Sequence, residues 1–447
     1  MIRIFHHYVS KTAFMLLLVE LTILLAAAVA TAPLWERGKG AYLTALIFAL
    51  VQIFSMSTLG MYQHTSRDDI KNTLLRIIPA FVLGFCILNL LFGAAPAGVF
   101  VLSAGGVLLA RLIVFTSVQS NIMERRLILV GEGAMARECM ELASVGTGFH
   151  QFKVVGCIPV EGEACCVPPA ALLAADQSLL AQARAHNVDE IVVTVGNRRN
   201  GAFPVRQLLE CALNGFRVTD VASFFEREAC QIHIDSLQPS FLIFGGGFDQ
   251  SMLRAAVKRA FDLTASAAIA VLTLPLMVLT ALLVWLEDRG PVFYQQERIG
   301  RHGRHFRILK FRSMRPDAEL NGTPQWATDN DPRVTRVGHW IRKLRIDELP
   351  QMLNVFKGEM SFVGPRPERG FFVTQLCAEV AYYNVRHSIK PGITGLAQVR
   401  YRYGASVEDA VRKLQYDLYY VKNNSLFLDL LILLDTVQVV LFGKGGR

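Results

Sequence analysis

The chain has 447 residues, 52% of them hydrophobic and 19% charged, with 46 Lys and Arg against 37 Asp and Glu and a formal net charge of +9. A mean hydropathy of +0.34 excludes an ordinary soluble domain over the whole length, and the length leaves room for several folding units. Eight cysteines without a CxxC pair exclude a disulfide framework and suit a reducing compartment.

Residues 1–118 are mostly apolar. Runs near 13–34, 41–61, 74–94 and 97–117 are each long enough to cross a bilayer, which predicts a four-helix transmembrane bundle. No small-residue cleavage site follows the first run, so it reads as an anchor rather than a signal peptide. Arg111 lies near the end of the fourth run, where snorkelling makes a charge tolerable. Glu20, inside the first run, is a candidate functional group or a bundle-facing hydrogen-bond partner. Arg3, Lys11, Arg67, Lys71, Arg76, Arg125 and Arg126 fall on one side of a four-span arrangement; only Arg37 and Lys39, beside Glu36, fall on the other. The positive-inside bias therefore puts both ends of the bundle in the cytoplasm.

Residues 119–250 read as a Rossmann-like α/β domain. A strand over 126–130 runs into Gly131-Glu132-Gly133-Ala134-Met135-Ala136, a GxGxxA turn ahead of a helix-prone stretch. Gly131, Gly133 and Ala136 are its candidate nucleotide-binding positions. Strand-like runs at 153–158, 190–195 and 216–221 alternate with helix-length pieces, as in a doubly wound sheet. The second strand ends Gly156-Cys157-Ile158-Pro159 without an acid to grip a ribose, although Glu161 and Glu163 lie beyond, and no Tyr-xxx-Lys pair occurs in the chain. These absences favour a structural or regulatory domain over a cofactor-using one.

Residues 251–447 form the third part. Lys258-Arg259-Ala260-Phe261-Asp262 leads into an apolar run over 263–286, interrupted near its middle by Pro275. Its length suits a fifth span, but Lys258 and Arg259 precede it, and Arg298, Arg301, Arg304, Arg307, Lys310, Arg312 and Arg315 follow. A spanning helix would expel one basic cluster. A re-entrant helix over about 260–286, broken at Pro275, returns both to the cytoplasmic face. A basic run so close to an apolar segment points to anionic headgroups and phosphorylated substrates rather than nucleic acid.

Asp347-Glu348, followed by Pro350, sit at or just before a helix N-terminus. As caps alone they would contribute roughly 0.3–1 kcal/mol. Arg342 and Arg345 lie just upstream, and Gly364-Pro365-Arg366-Pro367 holds an arginine between two prolines, a rigid mount for a phosphate-binding guanidinium. An aspartate can attack phosphorus to form an acyl phosphate. With a polyanionic substrate, arginines and a divalent ion must offset the repulsion. Mg2+ suits that role, with Asp347 and Glu348 as candidate ligands. No His/Cys cluster has soft-metal spacing, so His302, His305, His339 and His387 read as structural or interfacial. A last apolar run over 425–442 contains Asp429 and Asp435 and reads as an interfacial or docked helix.

Over about 255–447 the chain resembles the bacterial polyisoprenyl-phosphate sugar-1-phosphate transferases, which start exopolysaccharide and O-antigen assembly. The resemblance rests on Lys258-Arg259-x-Phe261-Asp262, Pro291-Val292-Phe293-Tyr294-x-Gln296-x-Arg298-x-Gly300, Phe306-x-Ile308-x-Lys310-Phe311-Arg312-Ser313-Met314, Asp347-Glu348-Leu349-Pro350-Gln351, Gly364-Pro365-Arg366-Pro367 and Lys390-Pro391-Gly392-Ile393-Thr394-Gly395. Leu396 and Ile346 depart from residues common in the family. The whole chain looks like the long form, close to exopolysaccharide enzymes of exosortase-containing bacteria.

The resemblance implies a monotopic catalytic domain at the inner leaflet of the bacterial inner membrane, on a multi-pass chain. It implies a ping-pong reaction in which Asp347 takes a sugar phosphate from a UDP-sugar, UMP leaves, and undecaprenyl phosphate accepts the group. Glu348 matches the second acid of the dyad, Lys310, Arg312, Arg342 and Arg366 with Pro365 and Pro367 match substrate-binding positions, and Lys258, Arg259 and Pro275 match the re-entrant element. Glucose follows from the subfamily, with galactose or an N-acetyl sugar open. A homodimer and other polysaccharide assembly proteins are candidate partners. The rival readings are a membrane-anchored nucleotide-sugar oxidoreductase or dehydratase, and a non-catalytic nucleotide-sensing scaffold.

Overall fold

A computed structural model describes residues 1–31, 41–62, 70–92, 97–119, 124–144, 152–174, 177–196, 203–235, 237, 246–248, 251–315, 331–401, 404 and 406–441. Glu36, Arg37, Lys39 and Arg67, used above to orient the bundle, lie outside the described residues. The chain forms two compact units, Met1–Ile4 with Tyr8–Ala229 and Phe5–His7 with Cys230–Arg447. The compositional boundary at 250 falls later than this division, because Ile232 N donates to Gln415 O (3.0 Å) within the second unit.

The first unit opens with helices α1 (Lys11–Thr31), α2 (Ala41–Thr58), α3 (Ile70–Phe92) and α4 (Ala97–Gln119). These match the four apolar runs. α1, α3 and α4 are long and apolar enough to span a bilayer; Tyr42–Thr58 is shorter. Their shared core mixes small and large side chains, Ala27, Ala28, Ala45, Ala49 and Ala80 among Leu24, Phe48, Met56 and Leu88. Small residues let apolar helices approach closely, which drives packing when the surroundings are as apolar as the core. Outward-facing Tyr42, Leu90 and Val101 are exposed, as lipid contact requires.

Arg111 does not snorkel. It is buried, with Nε 2.6 Å from Glu20 Oε1. Its Nη2 donates to Glu20 Oε2 at 3.1 Å and its Nη1 to Met61 O at 3.0 Å. Tyr62 OH also donates to Glu20. Position near a helix end suggested escape to the interface; the facing Glu20 on α1 supplies a partner inside instead.

Beyond the bundle, β1 (Arg125–Val130), β2 (Phe152–Ile158), β3 (Glu190–Val193) and β4 (Arg217–Asp220) form a parallel sheet in the order β2-β1-β3-β4. Leu127 and Leu129 face one cluster with Cys139 and Phe224, while Ile128 and Val130 face another with Ala183 and Cys211. The central strand is therefore buried on both faces, as in doubly wound sheets. Helix α5 (Ala134–Ser144) follows the glycine turn. Gly131 has φ +121°, and a Cβ there would lie 2.6 Å from Thr194 Oγ1 and 3.2 Å from Val195 N, so the turn requires glycine. The space over Gly131 and Gly133 is taken by Glu163, whose Oε2 accepts from Glu132 N at 2.9 Å. Ala136 is buried in the sheet-facing core.

In the second unit helix α6 (Met252–Asp288) stays helical through Pro275. The expected interruption is absent: proline removes one hydrogen bond but lets the helical dihedrals continue on either side. At about 1.5 Å per residue its 37 residues extend far beyond a ~30 Å hydrocarbon core. Both ends meet the same folded unit. Arg259 donates to Val355 O (2.6 Å) and Phe356 O (2.9 Å), and Asp262 accepts from Ser361 Oγ (2.9 Å) and Phe362 N (3.1 Å). At the far end Val284 packs on Phe311 and Ile341. Between them Val271 and Leu272 are 76% and 81% exposed.

An antiparallel hairpin of β5 (Phe293–Ile299) and β6 (His305–Phe311) follows. Then come helix α7 (Arg336–Lys343), a 3₁₀ segment Ile346–Gln351, and helix α8 (Met352–Lys357). Strands β7 (Ser361–Val363) and β8 (Gly392–Thr394) pair in parallel. Helix α9 (Val407–Asn423) starts with a Ser406/Asp409 capping box. The final helix α10 (Leu426–Leu441) is docked: Leu428 and Ile432 are buried, Asp429 pairs with Lys258 (2.8 Å), and Asp435 pairs with Arg400 (3.2 Å).

Candidate active site

Asp347 and Glu348 occupy the first turn of the 3₁₀ segment, entered through Arg345 in a left-handed conformation (φ 55°). The N-cap position is Arg345, whose side chain makes no capping hydrogen bond. Asn354 on α8 joins this turn to β6: its Oδ1 accepts from Leu309 N (3.1 Å) and its Nδ2 donates to Arg307 O (2.8 Å). That splice places Lys310 opposite the carboxylates.

Glu348 is surrounded by cations. Its Oε1 lies 3.1 Å from Lys310 Nζ and 2.9 Å from Arg366 Nη2, and its Oε2 lies 3.7 Å from Arg345 Nη1. Burial disfavours the charge, but Arg366, Lys310 and Arg345 outweigh it and hold this carboxyl well below the usual carboxylate range. Among the described residues, no hydrogen bond or ion pair reaches the Asp347 carboxylate, although it is buried. Burial pushes the Asp347 carboxyl up to about 6, with Lys310 opposing and the Glu348 charge adding. Two adjacent acids are thereby separated, one fixed as an anion and one poised near neutrality.

The pair opens into a cavity of about 530 Å³ lined by Lys310, Arg342, Arg345 and Arg366 together with Arg298 and Arg386. Its lining also includes Tyr294, Gln398, Tyr401 and Lys413. Arg366 is aimed by its loop. A Cβ on Gly364 would lie 2.5 Å from Lys390 O and 2.9 Å from Gly392 N, so glycine alone lets the loop leave β7 this close to the neighbouring chain. Pro365 and Pro367 flank Arg366 and have no N–H to draw it into a sheet.

The structure brings Asp347, Glu348, Lys310, Arg342 and Arg366 around one cavity. Arg312 also lines it; its Nη2 donates to Asp288 and to Val284 O near the end of α6, tying that helix to the residue after β6, while its Nε and Nη1 have no hydrogen-bond partner among the described residues. Lys258 and Arg259 stand at the other end of that helix, on Asp429 and on the carbonyls ending α8. Sequence reasoning did not single out Arg298, Arg386 or Arg369 as cavity residues. Arg298 lay within the basic run, while no spacing signal marked Arg386.

Fold and cavity together define a membrane-type protein in which two adjacent carboxylates line a cavity ringed by cations. Residues 253–443 match the family model described as bacterial sugar transferase. The chain is 46% identical over 242 residues to a UDP-N-acetylgalactosamine-undecaprenyl-phosphate N-acetylgalactosaminephosphotransferase of Aeromonas hydrophila, covering 54% of this chain and 56% of that one. It is 43% identical over 197 residues to an undecaprenyl-phosphate glucose phosphotransferase of Komagataeibacter xylinus, covering 42% and 36%. It is 40% identical over 199 residues to exopolysaccharide production protein PSS of Rhizobium leguminosarum bv. phaseoli, covering 42% of this chain and 98% of that relative. The chain belongs to the bacterial sugar transferase family. Its matched part spans about half or less of the first two of these relatives.

Proposed function

We propose that the protein transfers a sugar-1-phosphate from a UDP-sugar to undecaprenyl phosphate, releasing UMP, as the first step of exopolysaccharide synthesis at the cytoplasmic face of the inner membrane. The observation that carries this reading is the asymmetry of the carboxylate pair. Glu348 is held by Lys310, Arg345 and Arg366, while Asp347 beside it has no hydrogen-bond or ion-pair partner among the described residues and faces the cavity.

In this mechanism an Asp347 oxygen attacks the sugar-linked phosphorus. The anhydride bond to the nucleotide phosphate breaks, UMP leaves with that electron pair, and an acyl phosphate bearing the sugar remains on Asp347. An oxygen of undecaprenyl phosphate then attacks the same phosphorus and frees the Asp347 carboxylate. Lys310, Arg342 and Arg366 bind the diphosphate and offset its repulsion for the attacking carboxylate. The donor set suits Mg2+: hard carboxylates with no His or Cys, and too few acids for an all-protein cage among the described residues. Asp347 and Glu348 would hold it together with substrate phosphates, and its charge would lower the cost of bringing anions together.

The relatives are named for N-acetylgalactosamine and glucose, so the hexose stays open here between glucose, galactose and an N-acetyl sugar. We read α6 as re-entrant. Both its ends bond to the same folded unit while its middle is apolar and exposed, which keeps Lys258 and Arg312 on one side of the bilayer. We read the doubly wound sheet as structural rather than cofactor-using, because Glu163 fills the glycine turn where a phosphate would lie. This also weakens the oxidoreductase reading.

The test is UMP release from a panel of UDP-sugars with undecaprenyl phosphate and Mg2+, comparing the wild type with Asp347→Asn. Release from one donor, lost in the variant, is the expected result. Release that survives in Asp347→Asn removes the nucleophile, and silence with every donor from folded protein favours a scaffold.

A further inference from the structure

Four consecutive carbonyls of the loop that carries Arg366 are held from four directions. Pro365 O accepts from Gly392 N (2.9 Å) and Glu368 O from Ile299 N (3.0 Å). The two between them are held by arginine side chains, Arg386 buried and Arg298 half-buried. Arg366 O accepts from Arg386 Nη2 at 3.0 Å, and Pro367 O accepts from Arg298 Nη1 at 3.2 Å. Arg298 is steadied by Gln296 Oε1 (2.6 Å) and by Glu368 (3.6 Å).

Arg386 has little left to offer a substrate. Its Nε and Nη2 both donate to Asp417 Oδ2, at 3.1 and 2.8 Å, and its Nη1 donates to Tyr383 OH at 2.6 Å. Arg386, Asp417 and Tyr383 are 6%, 2% and 4% exposed. A guanidinium fixed on three sides and turned to a backbone carbonyl is a strut rather than a ligand. Prolines on both sides of Arg366 stiffen φ but leave the loop without N–H groups at positions 365 and 367, so its placement depends on what grips its carbonyls.

We propose that Arg386, locked by Asp417 and Tyr383, is a positioning residue for the transfer reaction: it fixes the Arg366 carbonyl and so aims the Arg366 guanidinium at Glu348 and the substrate phosphate. Arg298 acts in the same way one residue further on. The proposal rests on the transferase reading for its catalytic consequence, while its geometric content stands independently.

A double-mutant cycle separates this from a general loss of folding. Asp417→Asn keeps size and hydrogen bonding but removes the charge that locks Arg386. In wild-type background we expect kcat for UMP release to fall about tenfold or more, as misaimed groups cost rate, with UDP-sugar KM changed much less. In an Arg366→Lys background the same substitution should change kcat less than twofold. Arg386→Lys, which cannot hold Asp417 and the Arg366 carbonyl together, should match Asp417→Asn rather than the wild type. Effects that multiply across the cycle, or full kcat in Arg386→Lys, overturn the proposal. If wild-type protein releases no UMP from any donor, the transferase reading fails, and the same cycle is read in melting temperature. Coupled shifts between Asp417 and Arg366 uphold the strut; additive shifts overturn it.

Discussion

Arg366 Nη2 stands 2.9 Å from Glu348 Oε1, and this contact joins two segments that the chain separates by helix α8, a turn and strand β7. It does more than neutralise one acid. With Glu348 kept ionised, its negative charge and the burial of the site together raise the proton affinity of Asp347. The second carboxylate of the dyad thus acts as an electrostatic reference for the first.

One consequence concerns pH. With Asp347 raised to about 6 and required as the anion, kcat/KM in limiting Mg2+ should climb from about pH 5 to pH 7 and then level. Glu348→Gln removes a neighbouring anion and releases Lys310, Arg345 and Arg366 to face Asp347. The acid limb should then move to lower pH, even as the rate falls. A pH–rate profile that stays in place in Glu348→Gln would contradict the electrostatic account.

The same shift predicts a stability trade-off. A carboxyl whose folded value lies above its unfolded one contributes stability below pH 3.8 that is lost as pH rises through about 6. At pH 8 the ionised Asp347 therefore costs on the order of 3 kcal/mol. Asp347→Asn should melt higher than the wild type at pH 8, with the gain vanishing near pH 4. Melting curves across that range check the sign; equal melting at pH 8 would count against a buried, poorly compensated Asp347.

Within the helical bundle, Glu20 and Arg111 form a buried pair at 2.6 Å. Removing one partner strands the other, so Glu20→Ala or Arg111→Ala alone should destabilise by about 3–5 kcal/mol. Glu20→Gln combined with Arg111→Met should recover most of that loss. Detergent unfolding of the two alanine singles and of the Glu20→Ala/Arg111→Ala double measures the coupling, and additive losses would show that the pair does not interact.

For the doubly wound sheet, Gly131→Ala forces a side chain into φ +121° with Thr194 Oγ1 2.6 Å from the new Cβ. We expect a loss of about 1–3 kcal/mol for the strained backbone, read as a lower melting temperature. UMP release per folded molecule should be unchanged, since the proposed chemistry uses none of these residues.

Much of this protein is written locally in its residue pattern. Four apolar runs became four helices because hydrophobic length alone decides whether a segment needs lipid or a core. The strand, GxG turn and helix over 125–144 were legible for the same reason, since φ +121° at Gly131 is a demand on one residue. Asp347, Glu348, Lys310, Arg342 and Arg366 stood out by residue type and motif, and they do meet around one cavity.

Partnership was not legible, because it depends on which elements fold against each other. Arg111 looked like a snorkelling charge until Glu20 on another helix proved to face it. Arg312 stood out as a phosphate ligand and does line the cavity, but its Nη2 is also held by Asp288 at the end of α6, a contact that no motif announced. Pro275 looked like an interruption, yet the helix runs through it, with Asp262 and Val284 towards its two ends both in contact with the rest of the second unit. Glu163 appeared as a stray acid beyond a strand and fills the turn that phosphate would need. Residue type and spacing determine which groups a chain can offer. Which offer is taken up follows from the distances that tertiary packing sets, and hydrogen bonds and ion pairs are lost within a few ångströms.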